Sequence, residues 1–164
     1  MMRVYSDVSK SFEDMTDKDI EAIMKHGGML TPSPKGKTAD MSEQASLALM
    51  KMLSRLTRKL GVSDHVYIVG GAVRNFVIDQ PIKDIDVVID SLALGKDSEW
   101  LANQVARQIP ATTDVVTDQY GVSKVFVLSS WVLAGHEMMD PKQAAVEIAT
   151  VSYTHLRAHE TDYY

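Results

Sequence analysis

Hydrophobic positions along this chain fall into two periods, one helical and one extended. Ile20, Ile23 and Met24 are spaced for a single helix face, behind a capping arrangement at Thr16-x-x-Asp19, and Gly27-Gly28 ends that helix. Thr31-Pro-Ser-Pro-Lys-Gly-Lys follows as a connector whose prolines discourage helix. A longer helix is predicted from Ser42, with Leu49, Met52, Leu53, Leu56 and Leu60 as its apolar stripe and Gly61 as its end. The β-branched and aromatic run Val66 to Val69 predicts a buried strand that stops at Gly70-Gly71. Ala72 to Ile78 then has the character of a short helix, Pro81 interrupts, and Asp84 to Ile89 restores strand composition. After Gly95, Trp100, Leu101, Val105 and Ile109 share one face of a helix over Asp97–Ile109, which Pro110 stops. Val115-Val116 and Val122 to Leu128 predict strands around a turn at Asp118-Gln-Tyr-Gly121. The segment from Trp131 to Lys142 has the composition of an exposed loop, and Ala145 to Thr150 is a last strand. Strands interleaved with helices place the chain in the α/β (α+β) class.

The bulk numbers narrow this picture. The 164 residues suit one domain able to bury its own core. Hydrophobic content of 45% and charged content of 24% are ordinary for a folded globular chain, so neither disorder nor a fibrous class is indicated. With no cysteine, disulfides and thiolate metal sites are excluded. A formal net charge of −5 argues against a broad nonspecific nucleic-acid surface, but it does not exclude RNA as a substrate. No apolar run is long enough to span a bilayer and the N-terminus lacks a signal-peptide core, so a cytoplasmic protein is expected. Lys51, Arg55, Arg58 and Lys59 on the long helix form either a solvated surface or a phosphate-binding face.

The chemistry concentrates between Val66 and Asp90. Side chains alternate faces along a strand, so Asp84 and Asp86 are expected to project from one side, roughly 6–7 Å apart. Asp is a poor strand former, and two carboxylates on one face repel unless a cation lies between them. Mg²⁺, a hard ion with oxygen ligands, is the usual solution. Gly70 and Gly71 allow a tight bend and close approach of a ligand to the main chain, and N–H groups opening the next helix favour a phosphate. Arg74 could offer its planar fork to a triphosphate, or pair with Asp79 or Asp84 to hold helix to sheet. The competing structural readings are an ordinary strand-to-helix turn at the glycines and neutralisation of the Asp pair by Lys83.

Gly70-Gly71-Ala-Val-Arg74-Asn75 followed by Asp84-Ile-Asp86 resembles the head-domain signature of polymerase-β-type nucleotidyltransferases. More narrowly, it resembles the class II CCA-adding tRNA nucleotidyltransferases and bacterial poly(A) polymerases, whose pattern is Gly-Gly-x-Val-Arg-Asp, a spacer and Asp-hydrophobic-Asp. Asn75 stands where that family usually has Asp. The resemblance implies a small mixed β-sheet packed by helices, with Asp84 and Asp86 as catalytic metal ligands for Mg²⁺. It implies nucleotide-binding roles for Gly70, Gly71, Arg74, Asn75 and Lys83. Ala145-Val-Glu147-Ile-Ala-Thr150 resembles the family strand beside the Asp-x-Asp strand, which makes Glu147 a third catalytic carboxylate or simply a solvent-facing residue. Tyr120-Gly121 is a weak further candidate, with a plain hairpin turn as its alternative.

The resemblance covers about residues 60–150, so residues 42–150 are expected to form the head, with 1–41 as an N-terminal extension. Residues 151–164, including His155, His159 and Glu160, look like a non-native tail. The family's tRNA-gripping helices would lie beyond Thr150. The implied reaction moves a nucleoside monophosphate from ATP or CTP to an RNA 3′ end, as in tRNA processing, by a two-metal mechanism. The alternatives are a nucleotide-binding module without turnover, or transfer to a small-molecule or protein acceptor.

Overall fold

The computed structural model describes residues 15–26, 43–78, 80, 85–128, 131 and 142–151. Two helices come first, α1 (Asp17–His26) and α2 (Glu43–Lys59), followed by a 3-10 turn at Ser63–His65. Then come β1 (Val66–Val69), α3 (Gly71–Val77), β2 (Ile85–Asp90), α4 (Ser91–Leu94), α5 (Ser98–Ala106), β3 (Thr112–Thr117), β4 (Val122–Leu128) and β5 (Lys142–Val151). The strands form one mixed sheet in the order β1-β2-β5-β4-β3. Only the central β2–β5 pair is parallel; β1–β2, β5–β4 and β4–β3 are antiparallel. The expected mixed sheet packed by helices is therefore the architecture observed.

Period-two patterning gives the sheet two unlike faces. Ile85, Val87 and Ile89 of β2, Val146 and Ile148 of β5, and Val125 and Val127 of β4 are all buried. They join one core cluster with Leu49, Met52, Leu53 and Leu56 of α2 and Leu101, Ala102 and Val105 of α5. Asp86 and Val88, Glu147 and Ala149, Val122 and Lys124 alternate with them and are half-buried on the opposite face. A one-residue slip of β2 would exchange Asp86 for Val87 in the core, so burial of the aliphatic set fixes the register.

The helices are tied down by their charged and polar residues. At α1, Thr16 N–H donates to Asp19 Oδ2 at 2.9 Å and Asp19 N–H donates to Thr16 Oγ1 at 3.3 Å, the reciprocal cap anticipated from the sequence. Ile20 and Met24 of α1 enter the same core cluster as the sheet. Lys51 Nζ donates to Met15 O at 2.6 Å and Arg55 pairs with Asp17 at 2.9 Å, so part of the basic face of α2 serves to dock α1. Arg58 and Lys59 are exposed.

Three segments depart from the sequence expectation, the first being β1, expected to be buried but half-buried at the sheet edge with Tyr67 exposed. Trp131, placed in an exposed loop, is 3% exposed, and its indole N–H donates to Met24 O at 2.9 Å. A large ring that finds both an apolar bed and one acceptor is stable inside. The last strand begins at Lys142 rather than Ala145, because its first residues pair with Leu128 and Val127 of β4. Residues 27–42, 132–141 and 152–164, with the expected connector, most of the loop and the tail, lie outside the described residues, as does Pro81.

Ile148 is 0% exposed at the centre of the sheet, so Ile148→Ala is expected to lower unfolding free energy by about 2–5 kcal/mol. Val116 on the edge strand is 50% exposed, so Val116→Ala is expected to stay within about 0.5 kcal/mol in the same denaturant titration. The backbone and then the hydroxyl of Thr16 hold the Asp19 carboxyl below its usual range. A folded-state value below the unfolded one stabilises the cap above the ordinary aspartate pKa of about 4 and loses that benefit as pH falls through the lowered value. Asp19→Asn should therefore reduce hydrogen-exchange protection of the Ile20 amide, which donates to Thr16 O, at neutral pH. The difference from the unsubstituted chain should vanish under strong acid.

Candidate active site

β1 ends at Val69, and its register partner on β2 is Asp86. The chain then turns at Gly70 with φ 72° and ψ −143°, a combination that an L side chain adopts only under strain. The turn brings Gly70 against the acid: a Cβ built there would sit 3.4 Å from Asp86 Oδ2. Gly70 is also the N-cap of α3 and supplies no side-chain cap to its first N–H groups. The bend and the second aspartate of the Asp-x-Asp motif are thus in direct proximity. Gly71 is helical, and a Cβ there would meet Arg74 Nη2 at 3.7 Å, an ordinary contact.

On its other side, β2 pairs with β5, and Asp86 is the register partner of Glu147. Glu147 in turn is the register partner of Lys124 on β4, and Lys124 of Val116 on β3. Partners in register share a face, so Asp86, Glu147 and Lys124 form one charged row across the half-buried side of the sheet. Sequence reading missed Lys124; its signal is the inward–outward alternation of β4, in which Ser123 and Val125 are buried while Lys124 is not. No ion pair among the described residues joins Lys124 to Glu147. Asp86 already has an interaction partner in the fold.

Arg74 lies on α3 and is exposed, with its Nε donating to Asn75 Oδ1 at 3.3 Å. Asn75 therefore orients the guanidinium through a neutral amide oxygen. Asp84, Lys83 and Asp79 lie outside the described residues, and with them the expected same-side placement of Asp84 and the alternative pairings of Arg74. Among the described residues no group of three or more His, Asp or Glu side chains converges on one point. Asp86 and Glu147 nonetheless place carboxylates on neighbouring strands of one sheet face, oxygen donors of the type a hard divalent ion such as Mg²⁺ takes.

Tyr120-Gly121 is separate from this row. Asp118 Oδ1 accepts from Tyr120 N–H and Val122 N–H at 2.8 and 3.0 Å, which builds a hairpin turn. Gly121 has φ 80°, and a Cβ there would meet Thr150 Cβ at 3.5 Å. Thr150 lies three residues beyond Glu147, roughly 10 Å further along β5. The glycine thus serves close packing of the turn on β5. The same end of the sheet holds α5: Ser98 N–H donates to Thr150 Oγ1 at 2.8 Å and Ser98 Oγ donates to Gly121 O at 2.9 Å. The Ser98 proton being spent there, Ser123 must donate to Ser98 Oγ at 2.8 Å and Thr117 to Ser123 Oγ at 2.7 Å. Asp90, also unremarked in the sequence, is buried and caps α4 through Ala93 N–H at 3.2 Å.

With this geometry in place, comparison with known proteins decides the family. The model of the poly A polymerase head domain matches residues 66–160, more than half of the chain. The chain belongs to the poly A polymerase head-domain family. The match begins at β1, contains the glycine bend, Asp86 and Glu147, and runs past Thr150, where the sequence resemblance was expected to stop. This is a nucleotidyltransferase family, in keeping with the class II CCA-adding and poly(A) polymerase resemblance. Among solved structures, a CCA-adding enzyme in complex with ATP is similar at 18% identity with a TM-score of 0.45. That similarity covers 71% of this chain and 23% of the other, so the chain spans about a quarter of the length of the structure it matches. No curated protein matches.

The positive φ at Gly70 and the nearby Asp86 oxygen make a sharp mutational contrast. Gly70→Ala is expected to cost about 1–3 kcal/mol of stability through backbone strain. Gly71→Ala, on helical backbone with an ordinary contact, should be neutral or slightly stabilising in the same urea titration.

Proposed function

We propose that this head transfers a nucleoside monophosphate from ATP or CTP to the 3′-hydroxyl of an RNA, most simply the 3′ end of a tRNA. The observation that carries the reading is the row in which Asp86 lies between the Gly70 bend and Glu147. A bend without side chains beside paired carboxylates separates a place for polyphosphate from a place for reacting oxygens.

In this reading the 3′-hydroxyl oxygen bonds to the α-phosphorus of the triphosphate as its proton passes to water, the bond to the bridging oxygen breaks and pyrophosphate leaves. Backbone N–H groups at Gly71 and Ala72 and the exposed Arg74 guanidinium hold the polyphosphate, and Asn75 keeps that guanidinium oriented. Lys83, two residues before Ile85 in the sequence, adds positive charge. Asp84 and Asp86 would hold Mg²⁺, which when bound supplies charge neutralisation at the phosphoryl oxygens and lowers the pKa of the attacking hydroxyl. Glu147 orients that hydroxyl from the adjacent strand. The rigid central strands position these groups, and positioning with charge complementarity accounts for most of the acceleration in such chemistry. Residues 42–150 constitute the catalytic unit, and the reaction takes place in the cytoplasm. Among the described residues no helix is long and apolar enough to cross a membrane.

The test is incubation of the chain with labelled ATP or CTP, Mg²⁺ and a tRNA pool. Labelled RNA product should form, and Asp86→Ala or Asp84→Ala should lower the rate by at least about 100-fold, the scale expected for loss of a principal electrostatic group. Transfer that survives either substitution would sink the assignment. Calorimetric titration with ATP separates the alternative: Mg²⁺-dependent binding without any product identifies a nucleotide-binding module.

A further inference from the structure

The charged row has a direction, and Lys124 stands at its far end. Across the sheet the order is the Gly70 bend on β1, Asp86 on β2, Glu147 on β5 and Lys124 on β4. Adjacent strands are about 4.8 Å apart, so the Lys124 backbone lies roughly 10 Å from that of Asp86, on the side away from the bend. In phosphoryl transfer the attacking and leaving oxygens are roughly in line through the phosphorus. If polyphosphate occupies the bend, pyrophosphate departs over β1 and the acceptor must approach over β5 and β4. We infer that Lys124 binds a backbone phosphate of the incoming RNA strand next to its 3′-terminal nucleotide. The inference rests on the nucleotidyltransferase reading and assigns the acceptor side of the same site.

Three features of the row support it. Lys124 shares the face of Asp86 and Glu147, not the core face. Its ammonium is held by no ion pair among the described residues, although Glu147 is its direct cross-strand neighbour. A lysine is a flexible, hydrated point charge, suited to a mobile phosphodiester rather than to fork-like clamping of a triphosphate. It also offsets, for an approaching polyanion, the negative potential of the two carboxylates. A purely structural lysine would instead serve only to balance Glu147.

The experiment uses the full chain with Mg²⁺ and a 5′-labelled single-stranded oligoribonucleotide bearing a free 3′-hydroxyl. RNA affinity is measured by anisotropy across a salt series, ATP affinity by calorimetry, and folding by thermal melting. Lys124→Gln should weaken RNA binding severalfold at low salt and reduce the slope of log K against log salt by about 0.7, the loss of one phosphate contact on a single strand. Lys124→Arg should restore the slope, and ATP affinity should not change in either variant. An unchanged slope in a folded Lys124→Gln protein overturns the role of Lys124 while leaving the catalytic reading standing. A fall in ATP affinity alone overturns it too, by moving the lysine to the polyphosphate side. ATP binding by the unsubstituted chain without any RNA binding overturns the acceptor assignment, and absence of both undoes the underlying reading. Should Lys124→Gln fail to fold, Lys124→Met, which keeps the aliphatic stem and removes the charge, carries the test: its slope must fall by the same amount of about 0.7, and an unchanged slope overturns the role of Lys124.

Discussion

The parallel pairing of β2 with β5 is the contact on which the site depends. The two strands are separated in sequence by α4, α5 and the β3–β4 hairpin, yet they lie side by side at the centre of the sheet. Ile85, Val87 and Ile89 pack into the core together with Val146 and Ile148, and that burial forces the intervening Asp86 and Glu147 onto the other face. Like charges directly across from one another destabilise a sheet. Residues that break a local rule of stability in this manner concentrate at functional sites, where another benefit retains them.

The ends of the sheet are built differently for different purposes. At the β1 end the chain leaves through Gly70, whose backbone conformation keeps space open beside Asp86. At the opposite end of β5, small hydroxyl side chains fill the space: Thr117, Ser123 and Ser98 form a chain of hydrogen bonds ending on Gly121 O, and Thr150 Oγ1 accepts from Ser98 N–H. A closed network of this type rigidifies the strands it joins. The strands carrying Glu147 and Lys124 are therefore held firmly at one end, while the face with the charged row stays accessible.

The helical layer supplies the counter-surface that makes the sheet one-sided. Leu49, Met52, Leu53 and Leu56 of α2, with Leu101 and Val105 of α5, cover the aliphatic face. Two of the basic residues of α2 are engaged within the fold. Lys51 and Arg55 are engaged with Met15 and Asp17, which fastens α1 across the helix. Trp131 completes that corner by donating to Met24 O.

Much of this was legible from residue order alone. Apolar periodicity specified α2, α5 and the strands, because burying one face of a helix or strand requires a fixed spacing. The cap at Thr16 and Asp19 and the bend at Gly70-Gly71 are local effects, set by residues a few positions apart. Glycine bend, arginine and Asp-x-Asp together also pointed to the family. Trp131 was misplaced because its burial depends on a distant helix that offers it a bed and an acceptor, and Met24 is 107 residues away. The alternation of β4 places Lys124 on the polar face, but its position two strands from Asp86 was invisible for the same reason. Local sequence thus determined the elements and the chemistry available on each. Tertiary structure alone decided that Asp86, Glu147 and Lys124 share one row, since strand order and register follow from the joint burial of side chains far apart in the chain.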